Sequence, residues 1–233
     1  MQFLIGGVQK TSLLDYPDKI SAIVFTQGCN FRCGYCHNPG LLQVNSKKDI
    51  YSVDVFFEFL KNRVGKLDGV VITGGEATLQ KDLIPFMQEV KNLGFLIKLD
   101  TNGYRPDVVQ DVINQGLVDY FAMDIKAPLD KYSFVTNVDI DTDKIVKSID
   151  LIMNSNIPYE FRTTVMKSQL SYEDFEKIGE LIKGADRYYL QRFEAKTDIL
   201  DETLKNEITY SDEEFEKIVE ILKTKIKNVA LRL

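Results

Sequence analysis

Short runs rich in branched and aromatic residues alternate along this chain with longer segments whose apolar residues recur at helical spacing. The runs at 20–27, 69–73, 95–101, 118–125, 159–165 and 187–191 read as strands. Between and after them, 53–64, 83–93, 107–115, 143–154, 172–182 and about 212–225 read as helices. Ser171 with Asp174 three residues on, and Ser211 with Glu214, mark two helix starts. The stripes Phe56, Phe57, Phe59, Leu60 and Phe215, Ile218, Val219, Leu222 are expected to face the core. Strand and helix alternate six times, which predicts a parallel sheet with right-handed crossovers. Six units fall short of the eight of a closed barrel, so the expected class is α/β, a partial (β/α)6 TIM-like barrel.

Composition narrows the picture mainly by exclusion. The 233 residues contain no linker, low-complexity tract or internal repeat, and one domain over 1–233 is expected. Lys and Arg total 29 against 35 Asp and Glu, a net charge of −6, which does not indicate a nucleic-acid or anionic-membrane surface. No apolar stretch approaches the roughly 18 residues of a membrane span, and the N-terminus lacks the charged flank of a signal peptide, so a cytoplasmic protein is expected.

The chemistry is announced by three cysteines. Cys29, Cys33 and Cys36, the only ones in the chain, are spaced C-x3-C-x2-C directly after the first apolar run. Three thiolates on one short loop suit a cubane iron-sulfur cluster in which one iron is left without a protein ligand. Structural zinc is the alternative, but it takes four ligands, normally as two separated pairs, and no second pair exists. His37 is the one candidate fourth ligand, and its side chain points away from that of adjacent Cys36 on an extended segment. An odd cysteine count without a signal peptide argues against a disulfide.

The segment Cys29-Asn-Phe-Arg-Cys33-Gly-Tyr-Cys36-His37-Asn38-Pro39 resembles the signature of the radical S-adenosylmethionine (SAM) superfamily. Val70-Val-Ile-Thr-Gly-Gly-Glu-Ala, Leu99-Asp-Thr-Asn-Gly, Met123-Asp-Ile-Lys and Phe161-Arg-Thr-Thr-Val resemble the glycyl-radical-enzyme activases, most closely the activating protein of anaerobic ribonucleoside-triphosphate reductase. The opening Ile5-Gly-Gly-Val-Gln-Lys-Thr-Ser-Leu-Leu-Asp-Tyr-Pro and the late Tyr189-Leu-Gln-Arg-Phe add to that match. The resemblance implies a six-unit barrel open on one side. It also implies a 4Fe-4S cluster on the three cysteines that cleaves SAM, with an electron from a low-potential donor, to methionine and a 5′-deoxyadenosyl radical, and a glycyl radical enzyme as the radical's target.

The motifs fall where a parallel barrel places its active site, at C-terminal strand ends. The cysteine loop follows the first strand and Gly74-Gly75-Glu76 the second; Asp100-Thr101-Asn102 ends the third, Asp124 and Lys126 end the fourth, and Arg162 lies on the fifth. By resemblance, Gly74 and Gly75 let backbone approach SAM, and Glu76 accepts from its ammonium. On another reading the glycines are only a strand-to-helix turn. Lys126 pairs with the SAM carboxylate, and Asp100, Thr101, Asn102 and Asp124 hold the ribose or a monovalent cation; the alternative for these is an ordinary ion pair at a strand end. Tyr35 and His37 contact adenine largely through backbone. Some activases use a histidine after the sixth strand for SAM; this chain has only His37, so the contact is absent or replaced near 191–193. Arg162 should meet SAM or an incoming substrate strand, or else pair with Glu160 or another acid. Two functional alternatives stand beside the activase: a radical SAM enzyme acting on a small molecule, such as a carboxy-deazaguanine synthase, and a non-enzymatic metal or electron-transfer module.

Overall fold

The computed structural model describes residues 1–44, 51–194 and 198–232. Its centre is one eight-stranded sheet in sequential order: β1 (Ile5–Ser12), β2 (Ser21–Thr26), β3 (Gly69–Gly74), β4 (Leu96–Thr101), β5 (Tyr120–Asp124), β6 (Tyr159–Val165), β7 (Tyr188–Arg192) and β8 (Val229–Arg232). Strand β1 runs antiparallel to β2, and every later pair is parallel. The edge strands β1 and β8 do not pair, so the barrel is partial and open, as expected. The helices are α1 (Val53–Lys61), α2 (Leu83–Asn92), α3 (Pro106–Asn114), α4 (Tyr132–Thr136), α5 (Thr142–Met153), α6 (Tyr172–Leu181) and α7 (Asp212–Lys223). None among the described residues is long and apolar enough to cross a membrane.

The six expected strands are β2 to β7. The two edge strands and the short helix α4 are additions to the sequence reading. Strand β1 carries Gly-Gly-Val-Gln-Lys in its middle and lies with exposed positions at the edge, so neither continuous apolarity nor clean alternation marks it. Strand β8 has only four residues.

Alternation along the strands sorts the side chains between two faces. On β4, Ile97 and Leu99 join the helix-covered core with Phe56, Phe86 and Val109, whereas Lys98 and Asp100 turn to the concave face. Each large apolar side chain buried in that outer layer contributes about 1.5–3 kcal/mol relative to exposure. Phe56 and Leu60 of the α1 stripe, and Phe215, Ile218 and Leu222 of the α7 stripe, are buried there; Phe57, Phe59 and Val219 pack against it half-buried. Both expected capping boxes form, Ser171 with Asp174 on α6 and Ser211 with Glu214 on α7. At the N-terminal end of the concave face, Tyr16 from the β1–β2 loop packs with Ile23, Val71 and Tyr120 as an apolar floor. Above that floor the concave face becomes polar, and there the candidate site begins.

Candidate active site

The chain leaves β2 through Gly28, which has φ +91°, and enters the cysteine loop. Backbone bonds from Gly28 N to Leu41 O (2.7 Å) and from Cys36 N to Cys33 O (3.0 Å) set the course of the loop. Arg32 is clamped from outside: its N–H donates to Thr136 O at 2.8 Å, its guanidinium donates to Cys29 O and Phe31 O at 2.7 Å each, and Asn137 donates to its carbonyl at 3.2 Å. On the other flank Asp201 N donates to Gly34 O at 2.9 Å. These contacts fix the loop without using the Cys33 or Cys36 sulfur.

All three thiols are free, Cys33 buried and the other two half-buried. Burial pushes the Cys29 thiol up to about 12, opposed by the Phe31 N–H, which donates to its sulfur at 3.4 Å. Cys33 is raised by the same cause, opposed by the Lys126 ammonium and the Tyr35 hydroxyl. Such thiols become anionic only against a strong positive charge, which a metal centre supplies. Among the described residues no three Cys, His, Asp or Glu side chains converge as they would on a single ion. Three thiols lining an open cleft, with no second cysteine pair in the chain, suit a cluster with an open iron better than structural zinc, which takes four ligands.

The glycine pair is required by close packing of backbone on backbone. Gly74 has φ +120°, and a Cβ there would stand 2.2 Å from Thr26 N; one on Gly75 would stand 2.1 Å from Gly28 O. The approach lets Gly75 N donate to Thr26 O (2.9 Å) and Glu76 N donate to Gly28 O (2.8 Å), locking the end of β3 to the start of the cysteine loop. What these glycines admit here is therefore the neighbouring chain segment.

Glu76 is 1% exposed, and its carboxylate accepts four hydrogen bonds. One oxygen takes Thr78 N (3.1 Å), Thr78 Oγ1 (2.5 Å) and Thr101 Oγ1 (2.7 Å); the other takes Asn102 N (2.7 Å). Burial raises its pKa, with those donors opposing. Through these bonds Glu76 ties the end of β3 to the end of β4, and its second oxygen, which takes only the Asn102 N–H, keeps an acceptor position. Its charge still reaches the cleft, where it contributes to the raised pKa of Cys29. In Glu76→Gln, the amide nitrogen faces either Asn102 N–H or Thr78 N–H and leaves one buried donor unmet. A loss of roughly 1–3 kcal/mol is expected, read as a lower denaturant midpoint.

Across the concave face runs a ladder of alternating charges. Lys98 pairs with Asp100 (2.5 Å), Asp100 with Arg162 (3.0 Å), Arg162 with Asp124 (2.9 Å), and Asp124 with Lys126 (2.9 Å). The parallel register puts Asp124 beside Arg162 and gives the ladder its rungs. Burial pushes both acids up, but Arg162 with Lys98 lowers Asp100, and Arg162 with Lys126 holds Asp124 well below the usual carboxylate range. Three cations alternate with two anions, leaving one positive charge over. Arg162 therefore takes the acid-pairing alternative, though its partners are Asp100 and Asp124; Glu160 instead accepts from Arg232 (2.8 and 3.1 Å) and Tyr120 (3.0 Å).

Tyr35 is buried, with Lys126 Nζ 5.8 Å from its ring centroid, whereas His37 is exposed and stacks on Phe193 at 5.8 Å and 27°. Phe193 lies in the very segment, 191–193, where a replacement for the missing histidine is expected. One cleft of about 200 Å³ is lined by every candidate site residue named from the sequence. Sequence reading missed Asn30, which accepts from Asn102 Nδ2 (2.9 Å), as well as Thr78, Lys98 and Tyr132. The alternation Lys98-Leu-Asp100 on a strand carried a signal for Lys98; Tyr132 carried none.

Residues 23–182 match the radical SAM superfamily. A Methanocaldococcus jannaschii protein, whose name places it provisionally among the glycyl-radical enzyme activating enzymes, is 37% identical over 100% of this chain and 97% of its own length. A pyruvate formate-lyase-activating enzyme of Clostridium pasteurianum is 28% identical over 77% of this chain and 76% of its own. The fold matches the crystal structure of Streptococcus suis SuiB bound to S-adenosylmethionine with a TM-score of 0.66 at 15% identity; the match covers 88% of this chain and 48% of that one, so this chain spans about half of its length. From the superfamily match and the end-to-end likeness to the archaeal protein, it follows that this chain is an enzyme of the radical SAM superfamily, belonging to its glycyl-radical enzyme activating branch.

Proposed function

We propose that the protein activates an anaerobic ribonucleoside-triphosphate reductase by placing a radical on a glycine of that partner. Family membership brings a 4Fe-4S cluster, SAM and a glycyl radical enzyme as partner; the choice of reductase rests on the motif resemblance. The observation that carries the site reading is the meeting, in one cleft, of the three thiols with Glu76 and the ion pairs of Asp100, Asp124, Lys126 and Arg162.

In this reading Cys29, Cys33 and Cys36 hold the cluster. When bound, it supplies an electron and an open iron position for the amino-acid end of SAM, whose sulfonium carbon-sulfur bond breaks to give methionine and the 5′-deoxyadenosyl radical. Lys126, at the end of the ladder nearest Cys33 and Tyr35, receives the SAM carboxylate. Glu76 accepts from the SAM ammonium through the oxygen that takes only the Asn102 N–H, and its charge favours the sulfonium. A monovalent cation at Asp100 and Asp124 would compete with Lys98, Arg162 and Lys126, so the ladder itself can do that cation's work. His37 on Phe193 offers an aromatic wall for adenine in place of the missing histidine.

The target follows from radical stability. A primary alkyl radical abstracts hydrogen readily, and a glycine Cα radical is stabilised by its flanking amides, so the transfer runs downhill: 5′-deoxyadenosine gains the hydrogen and the glycine keeps the unpaired electron. A partner loop has to reach the cleft, and the unpaired edges of the sheet support such access. The protein, reconstituted anaerobically with iron and sulfide and mixed with SAM, dithionite and the reductase from the same cells, should release 5′-deoxyadenosine and produce a doublet EPR signal on the reductase. Release driven by a small metabolite, with no glycyl radical, would favour the small-molecule enzyme; no release at all would leave an electron-transfer module.

A further inference from the structure

Cys29 lies between two ties that hold the start of its loop to the ends of β3 and β4. Just before it, Gly28 O accepts from Glu76 N (2.8 Å). Just after it, Asn30 Oδ1 accepts from Asn102 Nδ2 (2.9 Å). The Asn102 N–H donates to the Glu76 carboxylate (2.7 Å), so the three segments close into a hydrogen-bonded ring that includes Cys29. The direction of the Asn102 amide is fixed. Tyr104 N can only donate; it takes the Asn102 oxygen (3.0 Å) and leaves the nitrogen for Asn30, which must then present its own oxygen. Asn102 is buried, and both ends of its amide are engaged within the protein. Phe31 packs on Tyr104 along the same seam, with ring centroids 5.9 Å apart. An apolar contact of that kind tolerates sliding, whereas a hydrogen bond of fixed direction does not.

We infer that the Asn30–Asn102 amide bridge sets the spacing between the cysteine loop and the strand ends that grip SAM, which makes both asparagines positioning residues. The inference rests on the cluster and SAM assignments above. The far limb of the loop, with Cys33, is held from outside by the Arg32 clamp and by Asp201 N on Gly34 O. The near limb, with Cys29, is held by the ring. Without the amide bridge that limb keeps only the Gly28 tie, and Cys29 can pivot about it. A ligand loop that shifts still gathers iron, because the thiolates follow the metal centre. SAM is less forgiving, since Glu76 and Lys126 fix its amino-acid end while its electron arrives from the loop. A misplacement of about 1 Å between two such halves costs up to about 10²-fold in rate. The loss therefore falls on the turnover of bound SAM, not on iron content or SAM capture.

The test is a double-mutant cycle of Asn30→Ala and Asn102→Ala. In the apoprotein, the second substitution should lower the denaturant midpoint less when the first is already present, the mark of a direct bond. In reconstituted protein with dithionite, Asn30→Ala should keep about four irons per chain. Its KM for SAM should stay within about threefold of wild type while kcat for 5′-deoxyadenosine falls at least about tenfold. The change that SAM causes in the EPR spectrum of the reduced protein should shrink in parallel. Gln110→Ala, which breaks an exposed amide pair with Asn114 on α3, is the control and should leave kcat unchanged. A lower midpoint in Asn30→Ala with wild-type kcat and a full EPR response would reduce the bridge to a structural bond and overturn the inference. Additive midpoint losses in the double variant would overturn it too, as would loss of iron from Asn30→Ala. Asn30 is half-buried, so its variant is expected to fold; should Asn102→Ala fail to, the kcat of Asn30→Ala decides. Wild-type protein that binds no iron would instead overturn the cluster assignment.

Discussion

Cys33→Ala is expected to yield a folded protein that takes up almost no iron, against about four per chain for the wild type, and forms no detectable 5′-deoxyadenosine. The loop around Cys33 is held by backbone bonds and by the Arg32 clamp, none of which uses the sulfur. Its removal therefore deletes a ligand with little cost to the fold. Cys29→Ala and Cys36→Ala should behave alike, because a cubane with two thiolates presents two open irons and is readily lost. Iron content, circular dichroism and chromatography of the SAM reaction check the three parts. A variant that keeps its iron and its turnover would show that the cysteine in question is not a ligand.

The second large effect is expected at Gly75. An alanine Cβ would press within 2.1 Å of Gly28 O and 2.8 Å of Gly28 C, both of them backbone atoms that cannot swing aside. Relief has to come from moving the end of β3 away from the cysteine loop, which breaks Glu76 N to Gly28 O and displaces Glu76 with its four donors. Overpacking of this kind costs roughly 1–3 kcal/mol, and SAM cleavage should fall by more than the loss of folded protein explains, because two halves of the site shift against each other. Gly40→Ala provides the contrast: its Cβ meets nothing within 4 Å, and stability should stay within about 0.5 kcal/mol. Chemical denaturation and single-turnover SAM cleavage measure both. Wild-type stability and cleavage in Gly75→Ala would contradict the backbone contact.

The legible parts of this protein were those written in local sequence. Strands β2 to β6 announced themselves because most of their residues are buried on both faces, and the capping boxes at Ser171 and Ser211 because a cap spans only three residues. The cysteine spacing was legible for the same reason: one loop carries all three thiols. What escaped depends on pairs far apart in the chain. Glu76 is filled by Thr101 and Asn102, and Arg162 is claimed by Asp100 and Asp124, partners that only the strand register brings together. An arginine in a strand foretells that some acid will meet it, not which one. The inward turn of Tyr35 has no local signal either, since the aromatic ring fits the core and the hydroxyl's environment is set by Cys33, Lys126 and Tyr132 together.

The claim that the radical ends on a glycine of the reductase is tested most directly by following the hydrogen. Reductase prepared with glycine deuterated at Cα is mixed anaerobically with the reconstituted protein, SAM and dithionite, and the 5′-deoxyadenosine is analysed by mass spectrometry. Since Cα–H does not exchange with water on this timescale, deuterium in the product reports abstraction from the protein. The account predicts one deuterium per 5′-deoxyadenosine, rising in step with the doublet EPR signal. Unlabelled 5′-deoxyadenosine in the presence of fully deuterated reductase, with no glycyl radical formed, would contradict it.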